Sequence, residues 1–151
     1  MTNQPLRARR LTETAKLPTK AHDTDAGIDL YSDEDLEIRS GRTVLVSTGI
    51  SMAIPDGYAG LIWDRSSMGV KGLHRFAGVV DSGYRGEVKV CISNMGYGTT
   101  EWPFGSKSYF ISRGDKIAQI LIQEVPNFRI EEVNDLDSTD RGEGGFGSSG
   151  K

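Results

Sequence analysis

Residues 86–93 read GEVKVCIS, and polar and hydrophobic side chains alternate along this stretch. Val88 and Val90 fall on one face of an extended chain, whereas Glu87 and Lys89 fall on the other. A period of two residues is typical of a β-strand that buries one face and exposes the other to solvent. The stretch therefore predicts a half-buried strand and a β-rich fold.

The same pattern of composition recurs along the chain, in windows rich in β-branched and aromatic residues that are separated by turn formers. The windows are TVLVSTGISMAI (43–54), YAGLIW (58–63), SYFIS (108–112), KIAQILIQEV (116–125) and FRIEEV (128–133), and the turns are SGR (40–42), PDG (55–57), DSG (81–83), NMGYG (94–98) and RGD (113–115). A short helix is expected only around residues 66–71. Many short strands joined by glycine-rich turns predict an all-β sandwich, jelly roll or barrel.

The length of the chain, 151 residues, suits a single domain with one hydrophobic core. We expect residues 1–133 to form that domain. Residues 134–151 read NDLDSTDRGEGGFGSSGK, which is the composition of a mobile tail with no core of its own.

The overall composition argues against several classes of protein. A net charge of −3 and a pI of about 5.4 argue against non-specific binding of nucleic acid. No apolar run approaches the ~18–20 residues that span a bilayer, and residues 1–10 lack the apolar stretch of a signal peptide. The single cysteine, Cys91, cannot form an internal disulfide and is interpreted as a small buried residue. We therefore predict a cytoplasmic protein with no membrane or nucleic-acid partner.

Three motif matches lack the structural context that their chemistry requires. GEGGFG (142–147) fits a dinucleotide-binding pattern, but no strand precedes it and no helix follows. GFGSSGK (145–151) resembles a phosphate-binding loop without its metal-binding Ser/Thr or its helix. DTDAGIDLYSDE (23–34) resembles a calcium-binding loop, but its glycine is displaced and no helices flank it. Two histidines and one cysteine are also too few for a typical structural zinc site.

Five segments carry polar residues that a plain β-domain does not require. They are DAGIDL (25–30), DRSSMGVKG (64–72), GVVDSGYRGEVKV (78–90), RGDKIAQILI (113–122) and RGEGGFGSSG (141–150). Each of the first four, taken alone, has an ordinary explanation as a turn, a hairpin tip or a polar residue at a sheet edge. The last combines a permanent cation, Arg141, with an aromatic ring, Phe146, on a glycine-rich strip. That combination suits a flap over a ligand that has both negative charge and a flat face.

Taken together and in this order, the five segments resemble the five sequence motifs of the trimeric dUTP diphosphatase (dUTPase) family. The resemblance implies a distorted β jelly-roll subunit, a homotrimer with active sites at subunit interfaces, and a mobile C-terminal arm that closes over each site. It also implies Mg²⁺-assisted hydrolysis of dUTP to dUMP and pyrophosphate, which keeps uracil out of DNA and supplies dUMP for dTMP synthesis.

The resemblance assigns the general base and the contacts to the sugar and uracil to the segment at residues 78–90. Asp81 is implied to be the general base that orients and deprotonates water for in-line attack on the α-phosphorus. Tyr84 would press its ring on the deoxyribose and exclude a ribose 2′-hydroxyl. The base would be read by backbone groups of the hairpin between Phe76 and Lys89, including those of Gly78 and Val80.

The resemblance places the phosphates on other segments, where guanidinium and hydroxyl donors suit phosphate oxygens. Ser66, Ser67 and the backbone amides of the turn through Gly69 would bind the α- and β-phosphates beside Arg65, and Arg141 would bind the γ-phosphate. Gln119 would reach a phosphate oxygen or a metal-bound water. The remaining implied contacts come from Asp29, which would act on Mg²⁺ through water, and from the arm residues Phe146, Gly147 and Ser148, with Phe146 stacked on uracil.

The match to the family departs from its usual pattern in three places. Ser67 stands where glycine is more frequent, and Lys116 replaces the commoner arginine before "AQ". Family members often carry an asparagine before the hairpin as a uracil contact, but GLHRFAGVV (72–80) has none. Backbone groups or His74 must then read the base.

Two other functions remain open at this point. A dCTP deaminase of the same fold would use a glutamate ten residues after the aspartate, and that position here is Cys91. A non-catalytic nucleotide-binding jelly roll would have no need of Asp81 as a base. Pyrophosphate release from dUTP, compared with dCTP, dTTP and UTP, distinguishes the three functions.

Overall fold

The structure, a computed structural model, describes residues 5–96 and 108–144. Within those ranges the chain forms eleven strands and one helix of a single turn. The elements are β1 (Arg7–Arg10), β2 (Ile28–Tyr31), β3 (Leu36–Ile38), β4 (Thr43–Val46), β5 (Ile50–Ala53), β6 (Tyr58–Trp63), α1 (Ser66–Gly69), β7 (Leu73–Phe76), β8 (Val79–Val80), β9 (Val90–Asn94), β10 (Tyr109–Ile111) and β11 (Lys116–Glu124). The all-β prediction and the short helix near residues 66–71 are both confirmed.

The strands form small antiparallel sheets arranged as a jelly roll. One sheet has the order β2-β11-β6-β8, a second has β4-β9-β7, and the pairs β1-β5 and β3-β10 complete the set. Strand β11 is the longest and pairs with β2 on one edge and β6 on the other. Its first half supplies three buried residues to the core, Ile117, Ala118 and Ile120, which explains the apolar run there.

The core is built from isoleucine, valine and leucine side chains that the strands direct inward. Its fully buried members include Leu30, Ile38, Val46, Ile50, Leu73, Ile92 and Ile120. Val88 and Val90 are also buried while Lys89 is exposed, so the alternation in GEVKVCIS is confirmed. Cys91 is only partly buried, because its side chain borders a surface cavity.

The prediction of a strand at FRIEEV (128–133) is wrong for the single chain. The last strand ends at Glu124, and residues 125–144 form no strand or helix. The apolar side chains there are open to solvent, with Phe128 78% and Ile130 91% exposed. A strand needs a partner for its backbone N–H and C=O groups, and the described part of this chain offers none to that segment.

No helix in the described part of the chain is long and apolar enough to span a membrane.

Candidate functional site

A surface cavity of about 540 Å³ lies where the chain leaves the sheet between β7 and β9. Because β7 and β9 pair with Phe76 opposite Cys91, the intervening residues 77–89 form a long excursion from the hairpin. Most of the lining comes from that excursion, and it includes the predicted residues Gly78, Val80, Asp81, Tyr84 and Lys89. The structure therefore brings these five predicted residues together around one cavity, and their roles stay predictions.

The pairing within the excursion differs from the predicted hairpin at residues 78–90. Strand β8 pairs with β6, and Val90 pairs with Val46 of β4, so the two limbs of the excursion do not pair with each other. The reason is tertiary, because each limb of the excursion leads into a strand that pairs with a different neighbour, β6 on one side of the cavity and β4 on the other.

Asp81 and Tyr84 form the turn at the far end of the excursion. The Tyr84 amide donates to the Asp81 carbonyl at 3.1 Å, and the Tyr84 hydroxyl donates to the Glu87 carbonyl at 3.1 Å. Both residues are exposed. The Asp81 carboxylate makes no hydrogen bond or ion pair with any residue in the described ranges, which leaves it available for water or a ligand.

Gly78 lies at the base of the cavity in a conformation that excludes other residues. Its φ is +118°, and a Cβ atom there would lie 3.0 Å from the Ile62 carbonyl oxygen. The Ile62 amide donates to the Gly78 carbonyl at 2.8 Å, so the two chains are in direct backbone contact. Any side chain at Gly78 would push the excursion away from β6.

Glu87 anchors the second limb of the excursion, and sequence reasoning missed it. Its carboxylate accepts hydrogen bonds from the Ser47 hydroxyl and, at 2.8 Å, from the Gly49 amide, and its other oxygen lies 3.4 Å from the Lys89 ammonium. Burial by itself would raise the pKa of Glu87, but these donors outweigh burial and hold the pKa below its ordinary value. The alternation pattern placed Glu87 on the solvent face, and only the tertiary contacts with the β4–β5 turn reveal its role.

We expect Glu87→Gln to lower the free energy of unfolding by about 1–2 kcal/mol at pH 7, because Ser47 and Gly49 would lose a charged acceptor. A folded-state pKa below the unfolded one stabilises the protein above the unfolded pKa, and that contribution disappears as the pH falls through the folded pKa. Chemical denaturation of both proteins between pH 7 and pH 3 should therefore show a gap that closes below about pH 4.5. Glu131→Gln, a change at an exposed carboxylate, is the control. A gap that stays constant with pH would contradict the assignment.

A second cavity, of about 440 Å³, lies between α1 and the start of β11. Its cationic lining residues are Arg65, Lys71 and Lys116, and the predicted residue Ser67 lies among them with Asp115 as the one acidic group in the lining. The excess of cations makes this cavity suitable for an anion.

Asp29 holds the two main cations of this cavity in place. Its carboxylate oxygens lie 3.0 Å from Arg65 Nε and 2.6 Å from Lys116 Nζ. The hydrogen bond from Lys116 to Asp29, with the negative charge of Asp29, raises the pKa of Lys116 despite partial burial. Arg65 also reaches the Ser67 hydroxyl and the Lys116 carbonyl, both at 3.4 Å. Asp29 therefore organises the anion-binding side chains in this structure.

Gln119 faces the turn that carries Arg65. It lies on β11 opposite Asp29, and its Nε2 donates to the Asp64 carbonyl at 2.8 Å. Its Oε1 lies directly over Gly27, so close that a side chain at Gly27 would collide with it. This glycine within DAGIDL is thus explained by the close approach of the Gln119 side chain.

The backbone amides predicted to cradle phosphate are used within the helical turn itself. Met68 and Gly69 donate to the Arg65 carbonyl at 2.9 and 3.0 Å, so these two amides are not free for a ligand. The hydroxyls of Ser66 and Ser67 are exposed and remain as donors. The helical turn thus uses two of the amides of the predicted nest, and the binding of phosphate by this segment stays a prediction.

His74 does not line the cavity beside Asp81. Its Nδ1 lies 2.5 Å from the Asp64 carboxylate, and its ring meets Phe76 edge-on at 5.4 Å between centroids. The alternative in which His74 reads the base is therefore not supported by its position.

The two cavities are far apart in the single chain. Strand β6 connects them: Gly60 pairs with Val80, so the register extended by one residue would place Asp81 beside Ala59, and Arg65 follows two residues after the other end of β6. Six residue steps of about 3.3 Å separate Ala59 from Arg65, a distance of roughly 20 Å. One chain does not bring Asp81 and Arg65 to the same phosphate.

The described tail residues, 134–144, line neither cavity. Arg141 is exposed, and its Nε donates to the nearby Gly144 carbonyl at 2.9 Å. The predicted contacts Phe146, Gly147 and Ser148 lie outside the described residues.

No cluster of three or more His, Cys, Asp or Glu side chains that could hold a metal ion occurs in residues 5–96 and 108–144. Both oxygens of Asp29, the predicted metal contact, are occupied by cationic side chains.

Comparison with known proteins identifies a family over nearly the whole chain. Residues 13–150 match the family model described as dUTPase. The deoxyuridine 5′-triphosphate nucleotidohydrolase of Mycolicibacterium gilvum is 44% identical over 149 residues, which cover 93% of this chain and 92% of that protein. The enzyme of the same name from Corynebacterium jeikeium is 43% identical over 152 residues, covering 97% and 93% of the two chains.

Solved structures of similar fold include phage dUTPases. The dUTPase of Staphylococcus bacteriophage 80alpha, solved with dUpNHpp, superimposes with a TM-score of 0.86 at 31% identity over 99% of this chain and 100% of that chain. A mutant dUTPase from phage phi11 of S. aureus, described with a structural Mg(II) ion, superimposes with a TM-score of 0.79 at 27% identity over 89% and 100%.

Proposed function

This chain belongs to the dUTPase family and hydrolyses dUTP, and from that premise we propose that each dUTP is bound between subunits, with Asp81 from one and Arg65 from another. The observation that carries the proposal is the separation of roughly 20 Å between these residues in one chain. A general base for attack on the α-phosphorus and a guanidinium on the α- and β-phosphates must both lie within hydrogen-bond reach of one triphosphate.

A homotrimer is the assembly that we propose for these shared sites. The segment that follows β11 exposes several large apolar side chains, Phe128, Ile130 and Leu136. Such a group of exposed apolar side chains is typical of a surface that another chain covers. Strand β1 pairs only with β5 among the described elements, so its other edge is open. A closed threefold arrangement would cover such surfaces and repeat each site three times.

Asp81 is proposed to accept a proton from the attacking water. The water oxygen forms a bond to the α-phosphorus, and the bond from that phosphorus to the oxygen bridging the α- and β-phosphates breaks. The products are dUMP and pyrophosphate, and the proton of the water passes to the Asp81 carboxylate. The exposed position of Asp81 and its lack of a described partner support this role.

The phosphates are proposed to enter the cationic cavity. Arg65 and Lys116 supply fixed positive charge, and the exposed hydroxyls of Ser66 and Ser67 donate hydrogen bonds. Gln119 supports the turn from behind through Asp64. Arg141 is proposed to reach the γ-phosphate from the tail, where its side chain is exposed and bonds to the nearby Gly144 carbonyl.

Mg²⁺ is proposed to arrive on the triphosphate, because the described residues form no protein cage for it and Mg²⁺ keeps waters and phosphate oxygens as ligands. When bound, it neutralises charge that develops on the phosphate oxygens. The carboxylate of Asp29 fits a water-mediated contact only if Arg65 or Lys116 turns from Asp29 toward phosphate as substrate binds.

The deoxyribose and base are proposed to occupy the cavity of the excursion. Tyr84 borders it and would pack on the sugar, while backbone at Gly78 and Val80, with Lys89 at the rim, would face the base. Backbone groups that line a cavity give directional hydrogen bonds to the base. A closely fitting backbone would also exclude the methyl group of thymine. We also propose a cytoplasmic location, which the low cysteine content supports.

Co-expression of two inactive variants tests the shared site. Trimers of Asp81→Asn alone or of Arg65→Ala alone should release almost no pyrophosphate from dUTP. Random mixing in equal amounts should restore about one quarter of the wild-type activity, because an intact site needs Asp81 from an Arg65→Ala subunit and Arg65 from an Asp81→Asn subunit. Differently tagged chains allow the mixed trimers to be isolated.

Co-expression of two differently tagged Asp81→Asn chains is the matched control and should stay inactive. If the mixed Asp81→Asn and Arg65→Ala trimers are also inactive while mass measurement shows that they contain both chains, each site lies within one chain. The shared-site proposal is then wrong, although dUTP hydrolysis by the wild type is unaffected.

A further inference from the structure

Ala77 adopts a backbone conformation that is costly for any residue with a side chain. Its φ is +60°, and it is the one non-glycine residue with positive φ in the described ranges. In this left-handed region the Cβ atom crowds the following carbonyl group, so the conformation persists only where other contacts enforce it. Ala77 stands at the start of the excursion, immediately before Gly78.

Arg75 makes the contacts that enforce this conformation. Its Nη1 donates to the Ala77 carbonyl at 2.8 Å, which closes the turn from one side. The guanidinium carbon lies 4.7 Å from the centre of the Trp63 ring, and the Arg75 amide donates to the Asp64 carboxylate at 2.7 Å. Trp63 and Asp64 thus fix both ends of the arginine, and the planar guanidinium suits stacking on the indole face.

The guanidinium has no competing protein partner that would hold it elsewhere. Its Nε atom is buried and has no hydrogen-bond partner among the described residues. Among the described residues, the side chain of Arg75 donates to the Ala77 carbonyl. The side chain is therefore committed to the turn at Ala77.

The turn matters because it forms one wall of the cavity beside Asp81. Four consecutive residues, 77–80, line that cavity, and Arg75 itself does not. Gly78 is fixed against Ile62 on the far side, so the direction of the backbone groups of this wall depends on the conformation at Ala77. Arg75 can therefore influence a ligand only through the wall.

We propose that Arg75 is a positioning residue that locks the left-handed turn at Ala77 and thereby sets the discrimination between uracil and other pyrimidines. The inference rests on the proposed function, since it takes the cavity beside Asp81 as the place of the base. Uracil and thymine differ by one methyl group, and uracil and cytosine by the hydrogen-bonding groups on one edge. A wall that is held rigidly at both ends can exclude thymine and cytosine because of these differences, whereas a relaxed wall can move to admit them.

Arg75→Ala should lower the ratio of kcat/KM for dUTP to kcat/KM for dTTP by about tenfold, since a charge-assisted hydrogen bond and a stacking contact are lost. The loss should fall on KM for dUTP, with kcat changed by less than about threefold, because Asp81 and the phosphate cavity are untouched. Arg39→Ala, at an exposed arginine paired with Glu37, is the matched control and should leave the ratio unchanged.

Glycine at position 77 separates a positioning role from a direct contact with substrate. Glycine adopts positive φ without cost, so Ala77→Gly in the wild-type background should leave discrimination close to normal. In the Arg75→Ala background it should recover at least about threefold of the lost tenfold, since the turn no longer needs the arginine to hold it. If the double variant discriminates no better than Arg75→Ala, the arginine does not act through the turn and the inference is overturned.

Different results would contradict the assignment of the cavity to uracil and the role of Arg75. If the wild type itself showed no preference for dUTP over dTTP, the assignment of the cavity to uracil would fail. If the wild type prefers dUTP and Arg75→Ala does so to the same degree, the inference about Arg75 alone fails. Should Arg75→Ala be insoluble, the double variant must recover folded protein, as judged by thermal unfolding, and failure to recover it also overturns the inference.

Discussion

Replacing Asp81 with asparagine is expected to lower kcat for dUTP by about 10²–10⁴-fold, the range that a positioned general base supplies. The amide keeps the size of the side chain but cannot accept the proton of the attacking water. Because the Asp81 carboxylate has no described partner, its replacement should not alter the fold. Nucleotide affinity should stay within a few-fold of the wild type, since the cationic cavity proposed to bind the phosphates is intact.

Pyrophosphate release measured under single-turnover conditions gives the chemical step, and calorimetry with a non-hydrolysable dUTP analogue gives the affinity. Asp56→Asn, a change at an exposed aspartate in the turn before β6, is the matched control and should have wild-type activity. Turnover that stays within about fivefold of wild type after Asp81→Asn would show that another group takes the proton.

Ending the chain after Asp140 is expected to give a folded trimer with at least ~100-fold lower kcat/KM for dUTP, comparable to the loss of one group that stabilises transition-state charge. The truncation removes Arg141, the cation proposed for the γ-phosphate, together with the aromatic ring of Phe146. Stability should change little, because residues 134–144 bury no side chain in the described structure and Arg141 bonds only to nearby Gly144.

A chain that ends at Gly150 is the control for truncation itself, since it lacks only Lys151 and should be fully active. Molecular mass in solution and thermal unfolding check that both truncated chains assemble. Normal kcat/KM in the chain that ends at Asp140 would show that the tail has no part in the reaction. Loss of the trimer instead would place the tail in the assembly interface rather than in the active site.

The sequence was most informative where one local pattern decides the outcome. Alternation in GEVKVCIS correctly placed Val88 and Val90 in the core, and the composition of KIAQILIQEV correctly predicted the strand β11. The order of the five motifs correctly predicted the dUTPase family and the jelly roll. Residue type and spacing suffice for such features because hydrophobic period and motif chemistry are properties of short segments.

Sequence reasoning did less well wherever a residue takes its role from a distant part of the chain. Glu87 was assigned only to a solvent face, yet it ties the excursion to the turn after β4. FRIEEV was predicted as a strand and finds no partner in the single chain. Asp29 was expected to act on Mg²⁺ through water, which stays a prediction, and its ion pairs with Arg65 and Lys116 were not foreseen.

By itself, then, the sequence determined which side chains are available for the chemistry: Asp81 as a carboxylate, Arg65 as a cation, and the strands that carry them. The tertiary structure decided how these residues are distributed in space. Strand β6 has a fixed rise per residue, and its pairing with β8 places Asp81 at one end and Arg65 at the other. Since the backbone hydrogen bonds of the sheet fix that separation, we propose that one chain carries two half-sites and that a second chain brings them together on one substrate.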